Sequence, residues 1–449
     1  MADERLHGLT EQLIKHAKQA GADAADAVAV SGSSVMIDVR GGTLEQAERS
    51  EGIDIGLRVL LGQKQAMVSS SDIRPDTIEQ MAQRAVAMAR EAPEDPYQSL
   101  ADPDQLARDW DIAALELCDP SDEPDPTTLE QDARDAEAAA LDTGQISQVQ
   151  SASAAYGKTD IFLAASNGFS GGYSRTERTR SCVAIAGTGT GMERDYDGDS
   201  RIWQRDLRSA EEIGRTAAKR AAERIGARKP KTGTYPVLFD ERIASSLIGH
   251  LLVAINGSSV ARRSSWLLDA MGQQVLPKGL SLVEDPHRPR CTASRPFDGE
   301  GLPTARREIV SDGVLTGWTL DLASGRKLGL PSTGNAARGT SSPPSPSSWN
   351  ITLTQGDRSR AELLRDMGTG ILVTSMIGST INPTTGDYSR GATGFWVENG
   401  EPVYPVNECT IAGNLRDMLM RIVPANDARP YLSRAVPSIL IEGMTLAGA

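Results

Sequence analysis

Residues 28–68 read VAVSGSSVMIDVRGGTLEQAERSEGIDIGLRVLLGQKQAMV, and the spacing of their apolar side chains decides the fold. Val28 and Val30, then Val35, Ile37 and Val39, then Ile53, Ile55, Leu57 and Val59, then Ala66 and Val68 recur at every second position. That is the period of a strand with one buried face. Gly41-Gly42 and Gly62-Gln63 punctuate the runs as turns, so the strands form a meander with mostly antiparallel pairing. Upstream, Leu6, Leu9, Leu13 and Ala17 lie at helical spacing, and Gly21 is the expected C-cap. Downstream, a second helix starts after Pro75, with Ile78, Met81, Ala85 and Ala89 on one face.

Working outward, periodicity disappears between Pro93 and about Pro126 (APEDPYQSLADPDQ, CDPSDEPDPTT), which predicts an extended, acid-lined connection. The plan then repeats: a helix near Thr128–Leu141, strands around Ile146–Ala154, Asp160–Ala165 and Cys182–Ala186, and a helix opened by the capping box Ser209/Glu212. ARKPKTGTYP, residues 227–236, is a basic linker. Beyond it the chain is strand-dominated, with turns at Asp312-Gly313, Gly386-Asp387 and Asn399-Gly400. One helix interrupts it, from Asp240 to about Ile255, through Ile243, Leu247, Leu251 and Ile255. The predicted class is α+β: helix and antiparallel-sheet layers, then a β-rich C-terminal domain. The expected units are 1–95, an acidic linker 96–127, 128–228, a linker 229–236, and 237–449.

Composition narrows the function. The chain has 449 residues, 39% of them hydrophobic, too many for one core. A net charge of −13 excludes the clustered cations that phosphate-backbone binding requires, so no nucleic-acid partner is expected. The N-terminal MADERLHGLTEQLIKHA lacks a signal-peptide apolar core, and no run of about 18 apolar residues occurs, so a cytoplasmic, membrane-free protein is expected. Cys118, Cys182, Cys291 and Cys409 stand singly, as idle thiols do in a reducing compartment.

Four histidines limit acid–base chemistry. His7 and His16 lie on the N-terminal helix and His287 in a Pro/Arg-rich loop, all ordinary settings. His250 lies on the interrupting helix in IASSLIGH, where the plain reading is a satisfied core imidazole. Ser246 stands one turn before it, yet no nucleophile elbow or oxyanion hole accompanies this pair. Gly187 to Gly191 (GTGTG) opens no helix and lacks a phosphate-loop lysine, so it reads as a turn. Gly334 to Gly339 (GNAARG), followed by a Ser/Pro tract, reads as a surface loop or part of a substrate groove.

Several long stretches carry a resemblance: GQKQAMVSSSDI, ASNGFSGGYSRT, RPFDGEGLPTARREIVSDGVLTGWTLDLASGRKLG, STGNAARG, and GSTINPTTGDYSRGATGFWVENGEPVYPVNECTIAGNL. From about Gly52 onward the sequence resembles the TldD/PmbA metallopeptidase family, and PVNECTIAGNL resembles its PmbA (TldE) branch. The resemblance implies, for active members, zinc held by an HExxxH helix and a C-terminal Cys, with the Glu as proton acceptor. Here the matching segment is SSLIGH: Ser245 for the first His, Ser246 for the Glu, and His250 alone retained.

Residues five apart on a helix point roughly 140° apart, so HExxxH needs a bulge, for which Gly249 offers slack. Tyr431–Ile441, where the Cys is expected, contains none. The expectation is therefore a chain without its own metal or cofactor. It would pair with a zinc-bearing TldD-type catalytic subunit, present sheet edges to an extended peptide, and act in proteolysis or peptide processing. The alternatives are a homodimeric peptide-binding protein without protease activity, and an unconventional metal site combining His250 with Asp240 or Glu241.

Overall fold

The structure, a computed structural model, describes residues 4–449, with Ser379 described by its backbone alone. Helix α1 (Glu4–Gln19) buries Leu6, Leu9, Leu13 and Ala17, the stripe that their spacing predicts. The chain then turns at Gly21, whose φ of +100° lies in the left-handed region. The meander follows as β1 (Ala24–Arg40), β2 (Thr43–Leu61) and β3 (Lys64–Ser70), then α2 (Pro75–Glu91). The second half consists of α3 (Pro126–Asp142), β4 (Gln148–Ala165), β5 (Ser170–Ala186), β6 (Glu193–Arg201) and α4 (Ala210–Ala222). Ser209 caps α4 by accepting from the Glu212 amide.

The two N-terminal units expected on either side of residues 96–127 share one sheet, ordered β3-β2-β1-β4-β5-β6. β1 and β4 join its halves, antiparallel from Asp26 opposite Ala165 to Val39 opposite Ala152. Strands expected as separate pieces are continuous. Ile146–Ala154 and Asp160–Ala165 fall largely in the single strand β4, and Cys182–Ala186 is the end of β5.

Parity along β1 explains the apparent breaks. Ala27 and Ala29 face α1 and α2, together with Ile55, Leu57 and Phe162. Val35, Ile37 and Val39 lie on the same face but pack on Leu129 and Ala133 of α3. Val28 points to the opposite face, against Phe297. Each buried Leu or Ile contributes about 1.5–3 kcal/mol. α4 presses on α3 closely: a Cβ on Gly214 would stand 2.0 Å from the Ala136 carbonyl oxygen.

β6 has no counterpart in the sequence reading, because its inward residues are acids. Asp195, Asp197 and Asp199 are buried at 6%, 3% and 7% exposure. Buried carboxylates persist only when paired. Arg224 meets Asp195 at 3.4 Å, Arg208 and Arg220 meet Asp197 at 2.8 and 2.7 Å, and Arg201 meets Asp199 at 3.0 Å. The GTGTG segment is the turn before β6, with a single 3-10 turn at Gly189–Gly191.

In the C-terminal half, β7 (Gly233–Phe239) runs directly into helix α5 (Glu241–Ala254). Later come α6 (Arg360–Met367), β8 (Gly370–Ile381), β9 (Asp387–Glu398), β10 (Glu401–Asn414) and β11 (Ile439–Ala447). Pairing runs β7-β8-β9-β10, and β10 pairs with β11, which returns to β7, closing a five-stranded barrel. Val237, Phe239, Ile371 and Val373 share a core with Ala244, Leu247 and Leu251 of α5. The alternate residues Leu238, Leu372 and Leu440 pack on α6.

The GNAARG segment is not a surface loop. Asn335 and Ala336 are buried, and the Arg338 guanidinium reaches Asp26 on β1, which also holds Arg58. Gly56 admits this loop, since a Cβ there would lie 2.1 Å from the Thr340 carbonyl oxygen. Thus a buried charge cluster ties the sheet to the barrel half. Among the described residues no helix is long and apolar enough to cross a membrane.

Candidate functional site

Helix α5 carries the three positions singled out by sequence. Asp240 starts it: the Asp240 amide donates to the Val373 carbonyl at 3.0 Å, and its carboxylate accepts from the Arg242 amide at 3.2 Å. The same carboxylate pairs with Arg242 Nε at 3.2 Å and with Arg360. Arg242 also reaches Asp195 at 3.3 Å, so the edge of the N-terminal sheet fixes where the helix begins. Glu241 pairs with Arg429. Burial pushes the Glu241 carboxyl up, and Arg429 opposes that shift.

Both carboxylates are thus already engaged. They also stand nine and ten residues before His250, about 13–15 Å along the axis at 1.5 Å per residue. The alternative that combined them with His250 on one ion is not assembled by this geometry.

His250 is half-buried, its ring edge-on to Tyr388 at 5.9 Å between centroids and 71° between planes. Its Nε2 is buried without a hydrogen-bond partner among the described residues, and so is Ser246 Oγ one turn earlier. Each such orphan costs about 1–3 kcal/mol. The hydroxyl and imidazole do not bond to each other, so no Ser–His pair exists. Burial and, second, the Arg390 charge hold the His250 imidazole below its ordinary range. Burial raises Tyr388 to about 12. Ser245 is half-buried on the same helix.

Helix α5 is α-helical throughout, so the bulge that Gly249 was expected to permit does not occur. A different feature uses Gly249: a Cβ there would lie 3.1 Å from Nη1 of Arg434. Arg434 belongs to Tyr431–Ile441, the segment in which the resemblance implies a thiolate. Arg390 donates from Nε to the Gly378 carbonyl at 2.7 Å and lies near enough to His250 to act on its charge. Sequence reasoning looked here for a missing Cys and overlooked the Arg that was present.

These side chains do not fit zinc. The metal needs about three anionic or imidazole donors and an open position. His250 offers one imidazole, Ser245 and Ser246 are neutral hydroxyls, and the neighbouring charges are guanidiniums, which repel a dication. Among the described residues, no cluster of three or more His, Cys, Asp or Glu is placed to hold a metal ion. Cys409, the nearest thiol by sequence to the C-terminal segment, is buried and pushed up to about 11 by that burial, with Sγ on the Ala392 carbonyl.

Three consecutive segments match one family: residues 25–89 match PmbA/TldA metallopeptidase domain 1, 119–225 its central domain, and 232–448 its C-terminal domain. Metalloprotease PmbA of Escherichia coli O157:H7 is 38% identical over 429 residues, covering 95% of this chain and 92% of that protein. A Haemophilus influenzae metalloprotease PmbA homolog is 37% identical over 452 residues, covering 99% and 97%. A Bacteroides thetaiotaomicron crystal structure, described as a candidate modulator of DNA gyrase, superposes with a TM-score of 0.92 at 26% identity, covering all of both chains. TldE from Thermococcus kodakarensis shares the fold, with a TM-score of 0.86 at 19% identity, covering 98% of this chain and all of that one. Matched by all three family segments and aligned with curated relatives along nearly its whole length, the chain belongs to the TldD/PmbA metallopeptidase family.

Proposed function

We propose that this chain is the non-catalytic subunit of a TldD/PmbA-type zinc metallopeptidase that acts on peptides or small unfolded proteins in the cytoplasm. The observation that carries the reading is the composition of the α5 surface: one imidazole at His250, hydroxyls at Ser245 and Ser246, and the Arg434 guanidinium against Gly249. Hydrolysis by zinc needs an activated water and a base to take its proton. This surface supplies neither, so a TldD-type partner brings the zinc, the base and the thiolate. The relatives' name, metalloprotease, supports a proteolytic setting for the assembly.

The chain's own part is structural. Its closed barrel and wide sheet shape the chamber, and exposed strand edges receive extended peptide through main-chain hydrogen bonds. Residues 43–52 of β2 are exposed and extend past the end of β3, which pairs only from Ile55 to Leu61. That stretch is one such edge.

The test is peptide cleavage by the purified chain alone, by a TldD-type subunit alone, and by the mixture. Cleavage that requires both supports the assignment; cleavage by this chain alone overturns it. Tight binding of unfolded peptide, with no cleavage in any mixture, would instead favour the homodimeric binding protein.

A further inference from the structure

The guanidiniums that repel a dication from α5 attract an anion. Glu241, Ser245 and Gly249 follow one another at four-residue intervals and so lie roughly along one stripe of the helix, about 6 Å apart. Residues 429–434 set an arginine at each end of that stripe. Arg429 meets the Glu241 carboxylate. Arg434 meets Gly249, where a Cβ would stand 3.1 Å from its Nη1. The first arginine is neutralised by an acid of the helix; the second faces a residue without a side chain.

Arg390 adds a second unmatched charge. Along β9 it shares a face with Tyr388 and Ala392, both in the core that contains Leu247 and Leu251 of α5. Tyr388 stands edge-on to His250, so Arg390 is directed to the same part of α5, and its charge reaches the His250 imidazole. Among the described residues neither Arg390 nor Arg434 forms an ion pair; Arg390 donates from Nε to a carbonyl only. Arg434 is exposed and Arg390 half-buried, and half-buried Ser245 brings a hydroxyl one turn before Gly249.

A guanidinium fork matches a carboxylate or a phosphate. The place on the helix separates the two. Phosphate sites use helix N-termini, where free N–H groups point at the anion. Gly249 and His250 lie in the second half of α5, which ends at Ala254, so their backbone N–H groups are spent within the helix. The nearer end of the helix dipole is also the negative one, and a dianion meets twice the opposition that a monoanion does. The single charge of a carboxylate is the better match.

We infer that the Gly249 side of α5 binds a carboxylate, supplied by the C-terminus of a peptide. Arg434 and the Ser245 hydroxyl donate to its oxygens, and Arg390 adds attraction from the far side of His250. The incoming carboxylate does for Arg434 what Glu241 does for Arg429. The peptide as its source rests on the peptidase reading above; the carboxylate site itself does not.

The test follows the His250 imidazole resonances of the full chain by NMR during titration with acetate, phosphate, and N-acetylated penta-alanine as the free acid and as the C-terminal amide. Acetate shifts them saturably and more strongly than phosphate, and the free acid binds about tenfold to a hundredfold more tightly than the amide, the range for losing one charged hydrogen bond. Arg434→Met shrinks both differences. Gly249→Asp, which places a carboxylate of the chain itself beside Arg434, abolishes them while the far-UV circular dichroism stays unchanged. No saturable response to acetate, or a stronger one to phosphate, overturns the carboxylate site, a result that does not depend on whether the variants fold. A saturable acetate response with equal binding of acid and amide overturns the peptide as its source and leaves the site standing.

Discussion

Replacing Asp26 with asparagine removes the carboxylate that two buried guanidiniums share. Asp26, Arg58 and Arg338 are each almost wholly buried, and Asp26 meets Arg58 on β2 and Arg338 from the barrel half. Burial alone would raise the Asp26 carboxyl; Arg338 and Arg58 outweigh it and hold it below its ordinary value. Removing one partner of a buried pair costs about 3–5 kcal/mol, because the opposite charge stays desolvated and alone. Glu300 also lies near both arginines, but burial keeps it protonated at neutral pH, so it compensates little of that charge and the expected loss is the full range, about 3–5 kcal/mol.

The assay is equilibrium urea unfolding at neutral pH, followed by far-UV circular dichroism. Because the folded Asp26 value is depressed, the carboxylate's contribution is complete above the ordinary Asp range and is lost as pH falls through the folded value. The difference between the parent and Asp26→Asn therefore shrinks in acid. The combined variant Asp26→Leu, Arg58→Met, Arg338→Met removes all three charges of the triad and recovers most of the stability, as an apolar replacement of a buried triad can. A change under about 0.5 kcal/mol for Asp26→Asn refutes the reasoning, since that is the size of a surface substitution. So does a combined variant no more stable than the single one.

Gly214→Ala separates packing from propensity: alanine in an open helix gains up to about 1 kcal/mol, but here the Ala136 carbonyl forces a loss of about 1–3 kcal/mol, read as a lower thermal midpoint. Burial first and the Asp298 charge second push Glu300 up, so the folded chain keeps a proton that the unfolded chain releases. Stability then falls as pH rises from the ordinary Glu range to that raised value. Glu300→Gln flattens this slope in urea midpoints, and an unchanged slope contradicts the placement. Arg390→Met raises the His250 value in an imidazole NMR titration, while burial keeps it below the ordinary range; a value that does not move places the guanidinium elsewhere.

The meander and its flanking helices were legible because their apolar residues keep a strict period. Where polarity interrupts that period, the reading failed in ways the structure explains. SGSS at 31–34 and GKTD at 157–160 look like strand ends, yet they pair with each other inside the continuous strands β1 and β4. DYDGD in β6 alternates as a strand should, but with acids inward. Such a strand becomes readable only once Arg208, Arg220, Arg224 and Arg242 are set opposite it. The burial of Arg338 depends on Asp26, far away in the chain, and no local pattern carries that information. At the site, a family resemblance marked Ser245, Ser246 and His250, whereas the guanidiniums reach α5 from distant segments and were invisible until those segments were placed.

The central claim concerns what the α5 surface can hold, and zinc stoichiometry tests it most directly. The purified chain is equilibrated with zinc, freed of excess, and measured by mass spectrometry beside His250→Ala. The account predicts substoichiometric zinc that is the same in both proteins. Zinc bound firmly in a one-to-one ratio, and lost on removing His250, would contradict it.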